Sequence, residues 1–102
     1  MIEKIKSAVL NGNIEWKKHA LERMLERGIG RNSVKEVLLT GDLIEVYPAD
    51  KPYSSYLIAG LDGLDVFHVV AALDENSGTC YIITAYKPDE KHFEPDLKTR
   101  RT

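Results

Sequence analysis

WKKHALERMLERGIGRNSVKEVLLTG, residues Trp16 to Gly41, reads as two short helices broken at Gly28-Ile29-Gly30, and the rest of the chain is organised around it. On a helix advancing about 100° per residue, His19, Arg23 and Arg27 recur every fourth position and form one row along a single edge. Ala20, Leu21, Met24, Leu25 and Gly28 make the adjacent apolar stripe, which is expected to face a core. The polar row therefore borders the buried face, where a cleft between helix and sheet would open. An imidazole and two guanidiniums in line suit a phosphate or carboxylate, because Arg presents a planar fork of donors that matches those anions. The same row is also what a solvated helix face looks like, with Glu22 and Glu26 close enough for weak ion pairs. In the second helix Asn32 or Gly30 is placed to cap the start, Val34, Val37 and Leu38 turn inward, and Gly41 stands where a helix commonly ends.

Upstream, Ile2, Ile5, Ala8 and Val9 are spaced for one face of a short helix that Asn11-Gly12-Asn13 stops. It is expected to be an accessory to the fold, occupying residues 1–13. Ile14-Glu15-Trp16 is too short for its alternation to assign and reads as an extended lead-in. Downstream, four segments have strand character: Leu43–Tyr47, halted by Pro48; Ser55–Ala59; Leu64–Leu73, entered from the turn-forming Asp62-Gly63; and Thr79–Tyr86, after the cluster Asp74-Glu75-Asn76-Ser77-Gly78. Every connection is short enough for a hairpin. The expected architecture is α+β, with two central helices packed on one face of a four-stranded antiparallel meander and the other face left to solvent or a partner.

One domain is expected from 102 residues, with 94–102 a mobile tail. Hydrophobic residues at 43% and charged residues at 29% suit a folded soluble chain and exclude a disordered one. A formal charge of −2 and a pI near 5.9 supply no overall attraction to nucleic acid, so any such binding needs a local basic patch. Cys80 is the single cysteine, lies in an apolar run and reads as a small buried hydrophobe, which fits a reducing cytoplasm. Nothing near Met1 resembles a signal peptide or a membrane span, so the protein is expected to be cytoplasmic.

His68 sits in the middle of an apolar strand with Val66 and Val70 on its own side of the pleat, pointing into the core or into a cleft at its margin. A buried imidazole needs a hydrogen-bond partner, and the Trp16–Gly41 segment offers a second imidazole and two Arg. Tyr86 ends the last strand beside Lys87, where a phenol commonly reaches the surface. His92 and Phe93, between Pro88 and Pro95, read as a clamp across the sheet end. There is no GxGxxG, P-loop, HExxH or GxSxG, which weighs against dinucleotide, nucleotide, zinc-protease and serine-hydrolase functions. The three His lack the close pairing that anchors a metal, so neither a metal nor a cofactor is expected.

The run HALERMLERGI, the Gly41 stop, the segment YPADKPYSSYLIAG, the strand HVVAAL and the strand end IITAYKPD together resemble domain of unknown function 4258, from about Trp16 to Phe93. His19, Arg23, Arg27, Gly28, Pro52, His68 and Tyr86 fall on positions of that family's pattern. The family is similar to the RelE/ParE-like plasmid-toxin superfamily, a pair of helices on a small antiparallel sheet. That resemblance implies metal-independent cleavage of messenger RNA, with RNA or an antitoxin-like protein as partner. Such cleavage needs a base for the 2′-hydroxyl, an acid for the leaving oxygen and cations for the phosphorane. His19 or His68, Tyr86, and Arg23 with Arg27 have the residue types for those roles. The rival reading is a noncatalytic protein- or anion-binding module in which the Arg row meets an acidic partner and His68 is structural.

Overall fold

The computed structural model describes residues 2–88, and their order is α1 (Ile2–Leu10), β1 (Ile14–Trp16), α2 (Lys18–Arg27), α3 (Arg31–Thr40), β2 (Asp42–Tyr47), β3 (Ser55–Asp62), β4 (Asp65–Asp74) and β5 (Thr79–Tyr86). The two central helices fall where the apolar stripes place them. Gly28 ends α2 with φ 69°, and its N–H donates to carbonyls of the last turn, so a left-handed residue closes the helix as glycine does readily. Gly30 caps α3 without a side-chain bond; Asn32 lies inside the helix.

The sheet corrects the expected four-stranded antiparallel meander. Among the described residues it has five strands in the order β1-β5-β4-β3-β2, and it is mixed. Strands β2 to β5 pair antiparallel with their chain neighbours, whereas β1 lies parallel to β5, matching Ile14, Glu15 and Trp16 with Cys80, Tyr81 and Ile82. Asn13 O accepts the Cys80 N–H at 2.9 Å, which starts this pairing. Three residues carry too little pattern to announce a strand; their partner, far along the chain, decides it.

The N-terminal helix is likewise more than an accessory. Ile5 is 0% exposed and Ala8 2%, and both belong to the same core as Val34, Val37 and Leu38 of α3 and Cys80 and Ile82 of β5. Helix α1 packs on α3 and β5, α2 on β5, and α3 on β3 and β4, so three helices cover one face of the sheet. The expected tail at 94–102 and the His92–Phe93 clamp lie outside the described residues. No helix among the described residues is long and apolar enough to cross a membrane.

Alternation sorts the strand residues. Phe67, Val69, Ala71 and Leu73 of β4 join the helical core, which turns Val66, His68, Val70 and Ala72 to the outer face. Register then lays residues out in rows across that face: Asp42, Ala59, His68, Tyr86; Glu45, Leu57, Val70, Thr84; and Tyr47, Ser55, Ala72, Tyr81. The expectation left this face largely to solvent or to a partner; Ser55, Leu57, Ala59 and His68 on it are buried.

Candidate functional site

Row by row, the outer face carries the polar side chains. His68 is 0% exposed, and its Nδ1 lies 3.4 Å from the Tyr86 hydroxyl, with ring centroids 5.4 Å apart and planes tilted by 59°. Strand register brings these two together, since His68 and Tyr86 are direct cross-strand partners. Tyr86 is half-buried and stands at the end of β5.

Arg27 reaches the same end of β5 from α2. Strand β1 stops opposite Ile82, and Ile83 has no partner in the ladder to β4 because the register shifts there. Past that bulge the outer edge of β5 is open, and Arg27 Nη1 donates to Ala85 O at 2.9 Å and to Thr84 Oγ1 at 3.3 Å. The guanidinium thereby satisfies an edge carbonyl that a longer β1 would have taken. No signal within α2 announces this, because the acceptor is 58 residues away.

The remaining members of the row stay apart. His19 is at the start of α2 with its side chain 91% exposed, and its Nδ1 is 3.7 Å from the Glu22 carboxylate. Arg23 is exposed and makes no hydrogen bond or ion pair among the described residues. The shared cleft of His19, Arg23 and His68 does not form: α2 lies on the helical face of the sheet and His68 on the outer face. Among the described residues no group of three or more His, Cys, Asp or Glu is placed to hold a metal ion.

Sequence reasoning passed over a second cluster on the outer face, around the segment between β2 and β3. The rings of Tyr53 and Tyr81 stack at 5.6 Å with planes 10° apart, and Lys17 Nζ lies 4.9 Å from the Tyr81 centroid. The Asp74 charge and a hydrogen bond to its carboxylate push the Tyr53 phenol above its ordinary pKa. Asp74 is itself held below the usual carboxylate range, chiefly by the Ser77 side chain and also by the Asn76 and Ser77 backbone N–H groups and Tyr53. Ser55, 2% exposed, donates to the Asp50 carboxylate. The signal was visible in YPADKPYSSY, where lysine and tyrosines crowd between and beyond two prolines, but nothing there pointed to Tyr81 or Lys17.

The family described as Domain of unknown function (DUF4258) matches residues 16–87. No curated protein and no solved structure matches the chain.

Proposed function

The chain belongs to the DUF4258 family, and on that premise we propose that it is a noncatalytic anion-binding module whose contact surface is the exposed edge of α2. The observation that carries this reading is the division of labour among the predicted site residues. His68 is wholly enclosed and Arg27 is occupied by β5, while Arg23 projects to solvent with Lys18 and His19 on the same helix. A general base must reach the proton it takes, and an imidazole without exposed surface does not. An exposed guanidinium, by contrast, is available to an anion.

A second reading, the RelE/ParE-like ribonuclease, is favoured by one contact. The Tyr86 phenol touches His68, and the Arg27 guanidinium bonds to Thr84 and Ala85 of the same strand end. In that reading Tyr86 faces the substrate and His68 positions it. The order of the two helices before an antiparallel β2–β5 is compatible with the superfamily's arrangement.

Labelled oligouridylate, as a polyanion that is also a ribonuclease substrate, separates the two. The binding module predicts salt-dependent anisotropy, intact RNA and loss of binding in Arg23→Gln with an unchanged melting temperature. In Arg27→Gln the loss of the bond to Ala85 O is expected to cost about 1 kcal/mol of stability. RNA cleaved to 2′,3′-cyclic ends, lost in Tyr86→Phe, would put the ribonuclease first. Absence of binding at low salt would reject the α2 surface.

A further inference from the structure

We propose that the pocket between the 48–54 segment and the outer face of β5 binds a nucleotide, its base against the Tyr53–Tyr81 pair and its phosphate between Lys17 and Lys51. The cavity measures about 130 Å³. A water needs only about 10–15 Å³ on such a measure, so the space admits a ring and leaves the rest of a ligand outside.

The walls specify what the ring carries. Pro52, Ala72 and Ile83 are apolar, and the two tyrosines, each half-buried, stack on one another with their ring planes nearly parallel. Aromatic side chains held in this way are sequence-tolerant platforms for bases. Two exposed lysines, Lys17 and Lys51, line the cavity against the single carboxylate of Asp50. Lys17 is already drawn to the electron-rich face of Tyr81, which holds its charge at the pocket mouth. Asp74 lies beyond Tyr53 and its carboxylate is taken up by the Ser77 turn and by the Tyr53 phenol.

Each half of this arrangement asks for a different part of one ligand. A bare phosphate has no use for the aromatic wall, and a neutral ring has no use for two ammoniums. A base joined to a phosphate uses both. The carboxylate of Asp50, fixed by the buried Ser55 hydroxyl, retains acceptor capacity for an amino or imino N–H of the base. The source is either a free nucleotide or one unit of an RNA strand. The acidic net charge makes this local recognition, without long-range attraction. The pocket meets the α2 surface only near Lys17, and it does not depend on Arg23.

Backbone amide shifts measured with AMP, UMP, uridine, inorganic phosphate and oligouridylate test it. AMP and UMP should give saturable shifts centred on Tyr53, Ser55 and Tyr81. Uridine and phosphate alone should bind about tenfold or more weakly, as should AMP to Lys17→Gln and Lys51→Gln, each lacking one charge-assisted contact. Tyr81→Phe should retain binding and Arg23→Gln should leave it unchanged, which keeps this site separate from the α2 surface. In Arg23→Gln, which removes the α2 contact, oligouridylate shifting the Tyr53, Ser55 and Tyr81 amides at lower concentration than UMP identifies a strand as the source; equal affinity identifies the free nucleotide. The lysine variants alter exposed side chains, so the test does not rest on a substitution in the half-buried tyrosine pair. No saturable shift at millimolar AMP, shifts reproduced by phosphate alone, or lysine variants that bind like the parent would overturn the proposal.

Discussion

Cys80 shows how a residue's surroundings change its chemistry. Burial beneath the helices pushes its thiol from an ordinary 9.0 up to about 12, because a thiolate there would be stripped of water. The unfolded chain ionises near 9 and the folded one only near 12, so between those values the unfolded state holds fewer protons. Stability contributed by the neutral thiol is present below pH 9 and is lost as pH rises through that window. Urea titrations from neutral pH upward should show the parent losing more stability than Cys80→Ala; parallel curves would show that Cys80 does not titrate on unfolding. His19, Arg23 and Arg27 make a related point. They are equivalent on a helical wheel, yet one pairs with Glu22, one faces solvent and one caps a strand edge.

Two glycines that end helices do so for different reasons. Gly28 has positive φ and open space around it, so its backbone conformation is what matters. Gly41 has φ −80°, which any residue adopts, but an added Cβ would lie 2.5 Å from both Ala59 O and Val37 O. The requirement there is the close approach of α3 to β3, where Gly60 also packs against Gly41. Gly41→Ala is therefore expected to cost about 1–3 kcal/mol as the helix end is forced off the sheet. Chemical denaturation measures it, and a loss within about 0.5 kcal/mol, the ordinary surface range, would show that the contact yields freely. Sequence alone identified Gly41 as a helix stop, while the close approach to β3 that requires a glycine there is seen only in the tertiary structure. Similarly, the Asp62-Gly63 signal located the hairpin, but Asp62 pairs with Asp65 and the loop is Gly63-Leu64.

At the level of the whole molecule, α1 and β1 are built into the domain. Ile5 is fully buried among residues of α3 and β5, so Ile5→Ala is expected to destabilise by about 2–5 kcal/mol and to shift one cooperative unfolding transition. A change below about 0.5 kcal/mol, or a separate early transition, would return α1 to the accessory role that its sequence suggested. The α2–α3 pair and the antiparallel succession β2 to β5 were legible in the sequence. Helical periodicity, alternation and turn residues act between neighbours in the chain, and local sterics set them wherever the segment packs. The parallel seat of β1 on β5, the capping of Ala85 by Arg27 and the outward turn of His68 were not legible. Each depends on a partner on another element, 18 residues away for His68 and 58 for Arg27, so the chain itself determined which segments become helices and strands, while tertiary packing decided which polar groups are consumed by the fold and which remain for a ligand.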